Sequence, residues 1–179
     1  MFRIETRGQI VEFLLHYKLK KICEIGVFRG DYLLHMLQSN PTECIAVDSW
    51  KQENVKKWWK ISTAKQVYRI FMNRIRGMKN VKVIKGDSVQ VSLLFQDEYF
   101  DFVYIDADHS FEGCLNDLVH WTPKVRIGGW VAGHDYDAKT TNSVNLAVHH
   151  FMKFNKNNMK NFFVTKEPYT RSFFFQRIR

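Results

Sequence analysis

Two rhythms of apolar and polar residues run along this chain. Short apolar runs recur at Cys23, at Cys44-Ile45-Ala46-Val47, at Val81-Lys82-Val83-Ile84-Lys85, over Phe100 to Ile105, and around Trp130-Val131-Ala132. Between them lie stretches with helical spacing. Val67, Ile70, Phe71 and Ile75 stand at i, i+3, i+4 and i+8, which predicts a helix over Ala64 to Ile75. Further helices fit Tyr32 to Gln38, Cys114 to Trp121 and Val144 to Phe154. Near the start, Ile10 to Leu15 is too short to span a bilayer and reads as an amphipathic helix packed across a sheet. At the end, Asn161 to Thr165, a turn at Pro168, and Ser172 to Gln176 read as two strands of a hairpin. Strands alternating with helices and closed by an antiparallel pair predict an α/β sheet with helices on both faces.

The ends of the runs carry the chemistry. The first passes Glu24 into a turn at Gly26 and a helix opening at Gly30. The second ends in Asp48, the third leads to Gly86-Asp87-Ser88, the fourth to Asp106-Ala107-Asp108-His109, and the fifth to Gly133-His134-Asp135-Tyr136. In an open parallel sheet the C-terminal strand ends share one edge, and ligands bind in the crevice there. The pattern Glu-x-Gly-x-x-x-Gly places an acid where dinucleotide-binding turns have their first glycine, which favours a ligand with a positive group over a pyrophosphate. An acid at the tip of the second strand suits a ribose diol. The plain alternative for the first turn is a strand-turn-helix whose glycines only allow close packing.

Composition narrows the class. A chain of 179 residues, 45% hydrophobic and 25% charged, fits one soluble domain over 1–179, with residues 1–20 as an N-terminal helix on the sheet. Cys23, Cys44 and Cys114 show no Cys-x-x-Cys spacing, so buried, reduced thiols and a cytoplasmic location are expected. The net charge of +9 is uneven: from Lys51 to Lys85 the basic residues face the single acid Glu53 and are interleaved with Trp58 and Trp59. Three partners suit that segment: a nucleic acid, an anionic small molecule, or water alone.

From about Lys21 to its end the sequence resembles the class I S-adenosylmethionine-dependent methyltransferases. Phe-Asp-Phe-Val-Tyr-Ile-Asp-Ala-Asp-His from Phe100, with Gly-Gly-Trp-Val-Ala-Gly-His-Asp-Tyr ending at Tyr136, is most similar to the small O-methyltransferases of the catechol, caffeoyl-coenzyme A and macrolide-sugar types. The resemblance implies a Rossmann-like seven-stranded sheet of order 3-2-1-4-5-7-6 with strand 7 antiparallel. It implies that Glu24, Gly26 and Gly30 shape the methionine pocket, that Asp48 accepts from the ribose, and that Ser49 and Trp50 follow it. Trp50 then covers the adenine or packs on the first helix, and Asp87 and Ser88 hold the adenine edge or cap a helix.

In the metal-assisted members, acids at the ends of strands 4 and 5 hold a divalent cation. Here the matching residues are Asp106, which also borders the cofactor, with His134 and Asp135. Where the catechol type has Asp-Asn on strand 5, this chain has His134-Asp135, and an imidazole ligand moves preference from magnesium toward manganese, iron or zinc. The alternative is a His134 that only hydrogen-bonds. His109 stands where the catechol type carries its catalytic lysine, so it is read as a proton acceptor, or else it caps the next helix with Asp108. His16, His35, His120, His149 and His150 read as structural or solvated.

Three functions compete. O-methylation of a small-molecule hydroxyl comes first, with no membrane partner. RNA methylation comes second on charge, without an Asn-Pro-Pro-Tyr motif. A non-catalytic S-adenosylmethionine-binding module comes third.

Overall fold

The computed structural model describes residues 1–51, 63–137 and 143–179. Seven strands form one sheet in the order β3-β2-β1-β4-β5-β7-β6. They are β1 (Lys21–Ile25), β2 (Glu43–Asp48), β3 (Val81–Lys85), β4 (Phe100–Ile105), β5 (Val125–Gly133), β6 (Met159–Val164) and β7 (Phe173–Arg177). Strands β1 to β5 pair in parallel, and β7 runs antiparallel between β5 and β6. This is the order that the resemblance implied, and it gathers the ends of β1 to β5 on one edge.

The inner strands are largely apolar because helices cover both faces of the sheet. On one face Ile22, Phe102, Tyr104, Trp130 and Ala132 pack against α1 (Ile10–His16), α2 (Asp31–Met36) and α3 (Ala64–Arg74). Phe13 of α1 meets the rings of Trp130 at 5.0 Å and Phe174 at 5.1 Å, so α1 lies across the sheet as its amphipathic pattern predicts. On the other face Val103, Ile105 and Val131 pack against α4 (Ser88–Ser92), α5 (Phe111–Trp121) and α6 (Ser143–Asn155). The three cysteines are buried and free. Among the described residues no helix is long and apolar enough to cross a membrane.

Several boundaries differ from the sequence reading. Strand β1 continues to Ile25, so Glu24 lies one residue inside the strand and not at its end. Helix α5 begins three residues before Cys114, because Ser110 accepts the Gly113 N–H at 3.0 Å and starts the helix there. Helix α2 stops at Met36 and gives way to a 3-10 turn over Leu37–Ser39. In α3, Val67, Phe71 and Ile75 are buried, whereas Ile70 is 37% exposed and faces water. The basic and aromatic cluster of Lys56, Lys57, Trp58, Trp59 and Lys60 lies outside the described residues.

Candidate active site at the strand ends

The turn leaving β1 is built on two glycines in the left-handed region. Gly26 (φ +90) donates to the Val47 carbonyl at 2.8 Å, and a Cβ there would fall 2.1 Å from the Asp106 carbonyl oxygen. The turn thus crosses directly against the backbone leaving β4, a crossing that only glycine permits. Gly30 (φ +78) precedes α2, and a Cβ there would strike Phe71 of α3 at 2.5 Å. Both glycines fit the turn to the protein's own neighbouring elements.

Glu24 sits beneath this turn, between Ala46 of β2 and Tyr104 of β4. It is 2% exposed, and its Oε2 has no hydrogen-bond partner. Burial pushes its carboxyl well above the usual carboxylate range. The nearby Asp106 charge adds to the rise, Arg7 opposes it, and Asp48 and Asp31 reinforce it. An orphaned buried acid of this kind is costly, about 1–3 kcal/mol, unless a partner arrives.

Asp48, at the end of β2, accepts the Phe28 N–H through one carboxylate oxygen and the Trp50 N–H through the other, each at 2.7 Å. The Ser49 backbone amide is a third donor to this carboxylate, which leaves one lone pair for a ligand. Burial raises its carboxyl despite these amides. Trp50 is 5% exposed, donates its indole N–H to the Phe28 carbonyl at 2.9 Å, and stacks on Phe71 with centroids 5.5 Å apart. Its ring contacts are with Tyr68 and Phe71 of α3. Ser49 stands between Asp48 and Trp50 and is partly exposed. Asp87 accepts the Gln90 N–H at 3.2 Å and caps α4, while Ser88 donates to the buried Asp117. Asp117 is raised by its burial to about 6.

The ends of β4 and β5 converge. One ligand atom each from Asp106, His134 and Asp135 lies within 4.8 Å of the other two. His134 Nδ1 stands 3.4 Å from Asp135 and 3.9 Å from Asp106. Asp135 adopts φ +56, a conformation that aspartate tolerates better than most residues. Burial works to raise its carboxyl, but the His134 hydrogen bond, with the charges of His134, His109 and Arg7, holds it below the ordinary value. His109 Nε2 lies 3.4 Å from Asp106 Oδ1 and 3.2 Å from Asp135 Oδ2, half-exposed above both. The helix cap belongs to Ser110, whose N–H donates to Asp108 at 2.9 Å, so His109 is left to face the acids. Two carboxylates and an imidazole so close together are a donor set that suits a divalent transition metal.

Arg7 is the residue that sequence reasoning missed. It lies in a 3-10 turn over Arg7–Gln9, its guanidinium 4.0 Å above the Tyr32 ring and 5.7 Å from that of Tyr104. Its nearest carboxylate among the described residues is Asp106, at 3.8 Å. The pattern Thr6-x-x-Gln9 ahead of an apolar run signals a helix start, but nothing in the sequence shows that this start folds over β4. The remaining histidines are peripheral to the cluster: His149 bonds the Tyr136 hydroxyl at 2.8 Å and His35 the Gly8 carbonyl at 2.7 Å. A cavity of about 400 Å³ between α5, α6 and β6, bordered by Pro123, Phe151 and Arg177, has no acid or histidine in its lining.

The family described as a methyltransferase domain matches residues 23–136, from β1 through the end of β5. The chain belongs to the methyltransferase domain family. Its sheet order is that of the class I, S-adenosylmethionine-dependent members. No curated protein matches the sequence of this methyltransferase. Solved structures match it closely in fold at low identity. The O-methyltransferase from Bacillus cereus in complex with SAH is 15% identical with a TM-score of 0.68, over 96% of this chain and 80% of that one. The O-methyltransferase TomG from Streptomyces achromogenes, involved in tomaymycin synthesis and solved with SAM, is 12% identical with a TM-score of 0.66, over 97% and 79%. An rRNA methylase from Streptococcus thermophilus is 11% identical with a TM-score of 0.71, over 100% and 99%. At these identities the methyltransferase shares a fold with each of them and nothing narrower.

Proposed function

We propose that this methyltransferase transfers a methyl group from S-adenosylmethionine to a hydroxyl oxygen of a small molecule, with residues 1–179 acting as one domain. The observation that carries the reading is the convergence of Asp106, His109, His134 and Asp135 on the same sheet edge as the buried, unpartnered Glu24. The cofactor supplies an electrophilic methyl group. Glu24 would take its ammonium group, gaining the partner that its Oε2 lacks. Asp48 would use its remaining lone pair for the ribose, with its orientation fixed by backbone amides of Phe28, Ser49 and Trp50. Asp87 and Ser88 border the adenine side, and their hydrogen bonds to Gln90 and Asp117 leave the ligand contact there to backbone and remaining lone pairs.

The acceptor hydroxyl must be aligned and lose its proton. His109 is the proton acceptor in this reading, and its place against Asp106 and Asp135 orients the ring and stabilises the charge that it gains. Asp106, His134 and Asp135 would hold a divalent cation, whose chemistry is to lower the acceptor's pKa. The imidazole favours manganese, iron or zinc over magnesium. The test is methyl transfer to a panel of catechols, sugars and acyl thioesters, with isotopically labelled S-adenosylmethionine. Labelled O-methyl product that disappears in His109→Ala supports the reading, and label retained only on nitrogen or carbon products overturns it.

RNA methylation is the second reading, favoured by the +9 net charge and by the fold shared with an rRNA methylase. Part of the basic segment is already engaged inside the protein. Arg74 pairs with Asp31 at 2.5 Å, Lys82 with Glu43 at 2.5 Å, and Lys85 lies 5.5 Å from the Tyr68 ring. An RNA held by about five phosphates would show a log-log salt slope of roughly −3 to −5. We expect the much shallower slope of a small anion.

A further inference from the structure

One buried carboxylate takes no part in the reaction proposed above. Asp117 lies within α5 and is 1% exposed, and Ser88, the first residue of α4, is its one hydrogen-bond partner among the described residues. The two oxygens are 2.5 Å apart. Burial raises the carboxyl to about 6; the Ser88 bond opposes the rise, the charges of Asp87 and Asp108 add to it, and His120 opposes it. The Cys114 thiol, one turn earlier on α5, is itself pushed up to about 12 by burial and stays neutral. An ionised carboxylate can only accept, so at neutral pH Ser88 is the donor. A hydroxyl has a single hydrogen, and Asp117 takes it. Half-buried Ser88 is then left with lone pairs alone for any ligand. Its turn is tied to the rest of the site, because the Gly86 N–H two residues earlier donates to the Asp48 carbonyl at 3.0 Å.

The direction of that one hydrogen bond has a consequence for the base. A 6-amino purine donates from position 6, whereas a 6-oxo purine presents only an acceptor there. We propose that Asp117 is a positioning residue of the cofactor site: it takes the hydrogen of the Ser88 hydroxyl and so makes Ser88 an acceptor that favours adenine over hypoxanthine. This rests on the S-adenosylmethionine reading above, in which Ser88 borders the adenine. Asp117 does not touch the ligand and acts through Ser88. A protonated carboxyl reverses the arrangement, because it can donate to Ser88 Oγ and release the serine hydrogen to a ligand carbonyl. Base preference is therefore coupled to the charge of a side chain on the far side of Ser88.

The experiment is titration calorimetry on the whole protein from pH 5 to pH 7.5, with S-adenosylhomocysteine bound directly and S-inosylhomocysteine measured by its displacement. The quantity read is the ratio of the two dissociation constants. Both probes carry the same ribose and amino acid, so the titration of Glu24 and Asp48 cancels in that ratio. Preference for the adenine probe should fall about 5- to 10-fold from pH 7.5 to pH 5, the worth of one hydrogen bond, with its midpoint near the Asp117 value of about 6. Asp117→Asn offers Ser88 an amide donor and cannot ionise, so it should show the low preference at every pH. Thermal melting checks that this variant folds, and if it does not, the wild-type pH series decides alone. A wild-type ratio that stays constant across the range would overturn the proposal while leaving the cofactor reading in place. An Asp117→Asn variant that weakens both probes equally would assign Asp117 to structure and overturn it as well. Wild-type protein that binds neither probe would overturn the cofactor reading itself, and the role of Asp117 with it.

Discussion

Replacing Glu24 by Gln should make the protein more stable at alkaline pH even as it removes cofactor affinity. Glu24 is 2% exposed with one oxygen unpartnered, and burial, followed by the Asp106 charge, raises its carboxyl well above the usual range. The folded protein therefore holds a proton that the unfolded chain releases at about pH 4.3. The stabilising contribution is fully present below that value and is lost as pH rises through the raised folded value. Within that window one extra bound proton costs about 1.4 kcal/mol of stability per pH unit. The Gln side chain has nearly the same volume and cannot ionise, so its stability curve lacks this slope. At pH 4 the two proteins should lie within about 1 kcal/mol of each other, the scale of one neutral hydrogen-bond difference. Their separation should then widen in favour of the variant as pH rises. Asp117, raised to about 6, titrates in both proteins alike, so the difference curve isolates Glu24. Urea unfolding at pH 4, 5, 6, 7 and 8, with the midpoint compared at constant m, measures it. Parallel curves for the two proteins would mean that Glu24 is ionised and compensated, and would refute the reasoning.

Asp48→Ala should weaken S-adenosylhomocysteine by about 1.5–3 kcal/mol in calorimetry, and it should also lower the melting temperature because the Phe28 and Trp50 amides lose their acceptor. If Asp106, His134 and Asp135 hold a catalytic cation, excess chelator should abolish turnover and leave S-adenosylhomocysteine affinity intact, with Asp135→Asn behaving the same way; full activity with no metal by elemental analysis would leave His109 as the sole device. Gly26→Ala should cost about 2–4 kcal/mol in chemical denaturation, because it adds a positive-φ penalty to a Cβ placed 2.1 Å from the Asp106 carbonyl, whereas Gly77→Ala, with nothing within 4 Å, should cost no more than about 1–2.

The fold was legible because its signal is local and repeated. Each of β1 to β5 announces itself as an apolar run ending in polar residues, and the sheet order followed from the resemblance. Local pattern fails where tertiary contact decides. Ile70 keeps helical spacing with Val67 and Phe71, yet it is 37% exposed while they are buried. Trp50 has the same sequence neighbours wherever its ring lies, and its stacking on Phe71, far along the chain, could not be read from them. At the site, the acids at strand ends were readable one strand at a time. That His109 would lie between Asp106 and Asp135, and not on the cap of α5, depended on Ser110 taking the cap. Arg7 was illegible for a simpler reason: its partners Tyr32, Tyr104 and Asp106 belong to other elements, and a lone arginine near a chain start has no pattern of its own.

Strand β3 ends the sheet, and what it shows to the outside matters to the molecule in a crowd. A bare strand edge offers unpaired amides to any other chain that can supply a strand. Here the exposed side chains of that strand are Lys82 and Lys85, and both are long and cationic. A second copy approaching edge to edge would bring its own lysines against these, and the repulsion would stand in the way of a continuous sheet. Some of the positive charge that looks like an invitation to an anion is, at β3, a guard against the protein's own kind.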